Sequence, residues 1–184
     1  DTDLDGLTDG EEVNGYGSDP LSMDGDGDGL PDYNEIMQQG TDPMNPDTDG
    51  DGLNDHDETS YQTDPLDSDS DGDGLLDGEE FNYPADPLDA DTDDDGLTDG
   101  DEGHVYGSHP NNIDTDGDGL PDYNEVMQHS TDPAVADTDA DNINDHDELS
   151  YGTSLLDPDS DGDGALDGDE IFGGYDPLDP NSKP

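Results

Sequence analysis

Acidic residues recur along this chain in one fixed register, and that register constrains its folding more than any other feature. The stretch DGDGDGLPDYNE at Asp24 returns as DTDLDGLTDGEE at Asp1, DTDGDGLNDHDE at Asp47, DSDGDGLLDGEE at Asp69, DTDDDGLTDGDE at Asp91, DTDGDGLPDYNE at Asp114, DTDADNINDHDE at Asp137 and DSDGDGALDGDE at Asp159. Successive starts lie 23, 23, 22, 22, 23, 23 and 22 residues apart, a period that signals a repeat array rather than one globular core. Four repeats compose a super-repeat of 90 residues, because GLPDYNE returns at 29 and 119 and NDHDE at 54 and 144. This predicts one domain over residues 1–90, a second over 91–180, and a tail at 181–184, where Asn181, Ser182 and Lys183 replace the expected Asp-x-Asp and the array is expected to end.

Each repeat carries acids at its first, third, fifth, ninth and twelfth places, so forty of the 57 acids obey the register. Only one Lys+Arg residue opposes them, and the formal net charge is -56. Two carboxylates about 4 Å apart repel by about 4 kcal/mol near a protein surface. Leu, Ile, Val and Phe number only 26 of 184 residues, which is too few to overcome such repulsion by burial. A disordered acidic tail would share the composition but not keep the register through eight copies. The chain therefore requires a cation as part of its structure.

The spacing selects the cation. In the calcium loop D-x-[DN]-x-[DN]-G, alternate side chains face one ion, a sixth-place Gly permits a sharp turn, the seventh carbonyl adds an oxygen, and a twelfth-place Glu binds through both oxygens. The candidate ligands are accordingly Asp1, Asp24, Asp47, Asp69, Asp91, Asp114, Asp137 and Asp159 at the first place. Asp3, Asp26, Asp49, Asp71, Asp93, Asp116, Asp139 and Asp161 hold the third, and Asp5, Asp28, Asp51, Asp73, Asp95, Asp118, Asp141 and Asp163 the fifth. The seventh-place carbonyls belong to Leu7, Leu30, Leu53, Leu75, Leu97, Leu120, Ile143 and Ala165. At the ninth place, acting directly or through water, stand Asp9, Asp32, Asp55, Asp77, Asp99, Asp122, Asp145 and Asp167. Glu12, Glu35, Glu58, Glu80, Glu102, Glu125, Glu148 and Glu170 close the loops. An all-oxygen donor set without Cys suits Ca²⁺ better than Mg²⁺, which demands near-ideal octahedral geometry. In the seventh repeat Asn142 replaces the turn Gly, and that site is expected to survive with lower affinity.

A chain of EF-hands does not fit, because only 10 or 11 residues separate each twelfth-place Glu from the next Asp. The segments after each loop, such as EEVNGYG and NEIMQQG, have room for one or two helical turns. The expected fold is therefore a mostly irregular, loop-rich, calcium-stabilised repeat array with short helical turns only, elongated and solenoid-like. Val13, Ile36, Phe81, Val126, Leu149 and Ile171 come directly after the twelfth-place Glu and are expected to join the seventh-place residues in small contacts buried by stacking.

These residues resemble a known family, the thrombospondin type 3 repeat in its cysteine-free bacterial form. The resemblance rests on DxDxDGLxDxxE and on the connections TDPMNPD at Thr41, TDPLDSD at Thr63 and ADPLDAD at Ala85, and it spans essentially the whole chain. It implies loops wrapped around lines of calcium ions, often more than one per repeat. One ion per repeat would bring the formal charge to -40 and two to -24; at least one is expected and two are preferred. Acids for a second ion are sought at the eleventh place (Glu11, Asp57, Glu79, Asp101, Asp147, Asp169) and before the linker Pro (Asp19, Asp42, Asp64, Asp86, Asp132, Asp176).

The tyrosines fall one per repeat and are expected to pack on the neighbouring repeat, with contacts to another chain or to sugar as the alternative. The histidines read as ordinary solvated side chains rather than zinc ligands. Acidity argues against nucleic acid, and no apolar run reaches the ~20 residues of a membrane span. Lacking an initiator Met and a signal peptide, the sequence reads as a mature segment or a piece of something longer. No nucleophile motif appears, so an enzyme is not expected. The function expected is an extracellular or cell-surface calcium-binding rod, spacer or fibre-forming segment, self-association into a fibre included. The alternative is a calcium-dependent adhesion module binding a glycan or another surface protein.

Overall fold

Each repeat folds as an acid-rich loop that runs directly into one short helix. The computed structural model describes residues 1–182 and 184. Among the described residues are eight helices, α1 (Asp9–Glu11), α2 (Asp32–Asn34), α3 (Asp55–Tyr61), α4 (Asp77–Glu80), α5 (Asp99–Asp101), α6 (Asp122–Asn124), α7 (Asp145–Tyr151) and α8 (Asp167–Gly173), each beginning on the ninth-place Asp. No strand occurs among the described residues. The repeats fall into two compact bodies, Asp1–Ala90 and Asp91–Pro184.

The helices start earlier than the sequence suggests, inside the loop itself. The eighth-place residue is the N-cap: Thr8, Asn54, Thr98 and Asn144 accept the N–H of Glu11, Asp57, Asp101 and Asp147 through their side chains. The eleventh-place acids thus sit at the third helical position, where carboxylates favour the helix N-terminus. Glu11 also accepts the Thr8 N–H at 3.0 Å, completing a capping box.

The two repeat lengths have a structural cause. In α1, α2, α5 and α6 the helix continues as a π turn, Glu12–Tyr16, Glu35–Gln39, Glu102–Tyr106 and Glu125–His129, and these are the four 23-residue repeats. Gly17, Gly40 and Gly107 donate to the carbonyls of Glu12, Glu35 and Glu102, five residues back. In the 22-residue repeats Gln62 and Gly152 reach only four back, to Glu58 and Glu148. A π turn absorbs one inserted residue without displacing the segment after it. In three of the 23-residue repeats a buried hydroxyl after the helix meets the twelfth-place Glu: Thr41, Ser108 and Thr131 donate to Glu35, Glu102 and Glu125 at 3.4, 3.0 and 3.3 Å, whereas the Thr63 hydroxyl of the 22-residue third repeat is buried without a partner.

The apolar core is thin. Leu7, Leu30, Leu75, Leu97, Leu120, Ile143 and Leu155 are buried, whereas Val13, Phe81 and Leu149 remain 63%, 44% and 43% exposed. The expected contact around the residue after Glu fails in those repeats, because the short helix turns that position outward while the Glu beside it turns in. The buried volume is filled by carboxylates instead: every twelfth-place Glu is fully buried.

Consecutive repeats interlock through the tenth place. There the backbone N–H donates to the fifth-place Asp of the preceding repeat, as with His56 to Asp28 at 3.0 Å, Tyr123 to Asp95 at 3.0 Å and His146 to Asp118 at 2.9 Å. The side chains lie over the sixth-place glycine before them. A Cβ on Gly6 or Gly96 would stand 3.2 or 3.1 Å from the ring of Tyr33 or Tyr123, and His56 and His146 cover Gly29 and Gly119 in the same way. Tyr33 and Tyr123 thus pack on the preceding repeat and Tyr61 stacks on Phe81 of the following one, as expected, although all three, like Tyr16, Tyr151 and Tyr175, stay more than a third exposed.

Candidate metal centre

Backbone amides fix the loop carboxylates. The first-place Asp accepts two of them: Asp24 takes the N–H of Gly27 at 2.7 Å and of Gly29 at 3.2 Å, and Asp47 takes Gly50 and Gly52 likewise. The third-place Asp accepts the fifth-place N–H, as Asp26 does from Asp28 at 3.1 Å. The fifth-place Asp accepts the seventh-place N–H at 2.6 Å in Asp28 and at 2.7 Å in Asp51. The first-place Asp is held through both oxygens, as is Asp28, which also accepts from His56, while the third-place Asp is held through one; each oxygen keeps lone pairs that can face a cation. In the first four repeats the first-, third- and fifth-place residues each offer an oxygen within 4.8 Å of the other two.

Several oxygens of the loops lack a donor. One oxygen of Asp3, Asp26, Asp49, Asp93, Asp116 and Asp161 is buried without a hydrogen-bond partner, as are both oxygens of Asp139, Glu12, Glu58, Glu148 and Glu170. Buried carboxylates with unsatisfied oxygens are costly unless a cation meets them. The electrostatics agree: burial pushes Glu35, Glu58 and Glu102 up to about 8, with the carboxylates of the third and fifth places adding to it. Asp49, Asp93, Asp116 and Asp139 are raised to about 6, chiefly by the same burial. The glutamates can stay ionised at neutral pH only against positive charge, and hard oxygen donors in this number fit Ca²⁺.

The ninth-place Asp has a role that the loop template does not show. It is fully buried in seven repeats, Asp32 through Asp167, whereas Asp9, in the first repeat of the sequence, is 51% exposed. Its surroundings come from the preceding repeat: Asp55 helps raise Glu35, Asp77 helps raise Glu58, and Asp122 helps raise Glu102. Asp51, Glu58 and Asp77 offer oxygens within 4.8 Å of one another and all three are buried, so a second ligand group spans two repeats. The acids expected from sequence to hold a second ion serve other ends. Asp19, Asp42, Asp64, Asp132 and Asp176 are exposed and accept the N–H two residues on, closing Asx turns before the next loop.

The second place is functional too, and its signal lay in the sequence as Thr or Ser in seven repeats. Thr48 donates its N–H at 2.8 Å and its hydroxyl at 2.7 Å to the two oxygens of Asp55, while its Oγ1 accepts the Asp42 N–H at 3.2 Å. Thr115 and Thr138 repeat this relay with Asp122 and Asp145. The seventh-place residues are placed by their own N–H on the fifth-place Asp, which includes Leu53 and Ala165.

A family model described as bacterial TSP3 repeat matches residues 1–22, 24–46, 47–68, 69–90, 91–112, 114–136 and 159–180. The chain belongs to the bacterial TSP3 repeat family. The TSP3 repeat left unmatched is the seventh, residues 137–158, where Asn142 stands at the turn. Asn142 nevertheless adopts the left-handed conformation, φ 81°, and its N–H reaches Asp137 at 2.9 Å as the glycines do. No curated protein matches the chain. Two solved structures share local similarity with this TSP3 array. The B domain of a biofilm associated protein is 47% identical over 24% of this chain and 11% of that one, with a TM-score of 0.24. The BSP domain of a biofilm associated protein is 52% identical over 23% and 8%, with a TM-score of 0.23. The chain thus spans about a tenth of the length of these structures.

Proposed function

We propose that this TSP3 array is an extracellular or cell-surface structural segment, a rod, spacer or fibre element, whose folded state is built on calcium. The observation that carries the reading is the set of buried, unpartnered carboxylate oxygens at the third and twelfth places. Within a repeat, the first-, third- and fifth-place Asp, the seventh carbonyl and the twelfth-place Glu would hold one ion. Between repeats, the fifth-place Asp, the same Glu and the next ninth-place Asp would hold another, giving two per repeat wherever another repeat comes after. The bound metal supplies positive charge that offsets carboxylate repulsion, and its binding free energy becomes folding free energy. Calcium outside cells is abundant enough to fill even weak modules. The role is non-enzymatic, since the ordered acids serve as ligands, caps and turn formers.

Small-angle scattering with elemental analysis tests this reading. The calcium-loaded chain is expected to be ordered and to carry between one and two ions per repeat. Dialysis against EDTA should expand it towards the dimensions of an unfolded chain. An unchanged scattering profile with no bound metal would refute the proposal. Exposed rings, among them Tyr61 stacked on Phe81 at 4.4 Å, favour adhesion as a second reading. A calcium-dependent hit on a glycan array would support it, and its absence would count against it.

A further inference from the structure

The junctions between repeats are of two kinds. At three of the four junctions with a Tyr or His at the tenth place, a hydrogen bond reaches the preceding fifth-place Asp, and Asp28, Asp95 and Asp118 are only half-buried. At the last junction of each body the tenth place is glycine. Gly78 donates to Asp51 at 2.9 Å and Gly168 to Asp141 at 3.1 Å. Here the helix comes close enough that a Cβ on Gly78 would stand 2.5 Å from the Asp51 carbonyl oxygen and 3.1 Å from the Leu53 nitrogen. Gly168 meets the Asp141 carbonyl with even less room. The fifth-place carboxylates are buried accordingly, Asp51 to 6% and Asp141 to 0% exposure.

Granting the calcium loading proposed above, we infer that the two glycine-sealed junctions, Asp51 with Gly78 and Asp141 with Gly168, retain their ions to the lowest free calcium. Each body then empties from its first junctions towards its last. The reason is the free-energy cost of exposing the site to water. An ion at a Tyr or His junction is covered by a side chain that can rotate, and Tyr33 and Tyr123 are already 38% and 37% exposed. An ion at a glycine junction lies beneath two backbone segments in contact, which must separate before water reaches it. Local opening of that kind costs more than rotating a surface side chain. Each body would keep a closed clamp at its last junction, from which the remaining repeats refold as calcium returns.

Hydrogen exchange on the full chain across a series of buffered free calcium concentrations reads this directly, because the tenth-place amides are the junction bonds. Protection at Gly78 and Gly168 should persist to lower calcium than at His56, Tyr123 and His146. Gly78→Ala should move the Gly78 junction to higher calcium while Gly168, in the other body, stays as an internal reference. Gly10→Ala, whose Cβ would meet nothing within 4 Å, should move none of them. One shared midpoint for all five amides, or earlier loss at the glycines, would overturn the order of release while leaving calcium binding intact. Protection indifferent to calcium would overturn the calcium reading itself, and the order with it.

Discussion

Replacing Thr48 by Val isolates the second-place hydroxyl, because Val keeps the branched shape and the backbone N–H that reaches Asp55. Two hydrogen bonds are lost, one accepted from the Asp42 N–H at 3.2 Å and one donated to the Asp55 carboxylate at 2.7 Å. The first is worth about 1 kcal/mol and the second, to a charged acceptor, about 1.5–3 kcal/mol. The extra methyl returns less than about 1 kcal/mol. The net loss expected is therefore about 1.5–4 kcal/mol, centred on about 2–3 kcal/mol, because Asp55 is fully buried and water cannot replace the lost donor. For a body of this size that lowers the melting temperature by about 10–20 °C, read by circular dichroism in excess calcium. Thr48→Ser should stay near the parent, as Ser70 holds Asp77 at 2.6 Å. The second repeat already lacks the relay: Gly25 has no hydroxyl and one oxygen of Asp32 has no partner. Thr is excluded there because a Cβ would stand 2.7 Å from the Pro43 carbonyl oxygen. A loss below about 1 kcal/mol in Thr48→Val, or an equal loss in Thr48→Ser, would refute the relay.

The buried glutamates and the π turns yield two more expected outcomes. Burial raises Glu35, Glu58, Glu102, Glu125 and Glu148 from the ordinary 4.5 to about 8, so without metal the folded chain binds more protons than the unfolded one between those values. Its stability must then rise as pH falls from 8 to 4.5 and fall as pH rises through that window. The EDTA-treated chain should compact on acidification while the calcium-loaded chain loses metal to protons over the same range; scattering that changes in the same direction for both would contradict this. Deleting Gln38 from the π turn Glu35–Gln39 should leave an α-helix like α3 and change stability by about 1 kcal/mol or less. Deleting Ser60 from α3 should be far more damaging in thermal unfolding, since no wider turn is there to absorb it.

Much of the ligand loop was legible because its contacts are local. Alternation of Asp with small residues places three carboxylates on one side of a tight turn whatever lies elsewhere, and the left-handed sixth place comes from Gly and Asn. Hydrophobicity is a poorer guide here. Val13 and Phe81 have the composition of core residues, but a helix of under two turns buries only one face, and the Glu claims it. The 22- and 23-residue spacings are visible in the sequence as numbers without a cause, because a π turn and an α turn carry the same residue types.

By itself the sequence determined the repeat, its family and the fixed places of the acids within it, and it showed that the chain carries almost no counter-charge of its own. Only the tertiary structure decided that the ninth-place Asp belongs as much to the preceding repeat as to its own, and that tenth-place Tyr, His and Gly make different junctions. Those pairings join residues 27 or 28 apart, such as Gly78 with Asp51 and His56 with Asp28. No local pattern encodes such a distance; it is set by how one loop and its helix stack on the next.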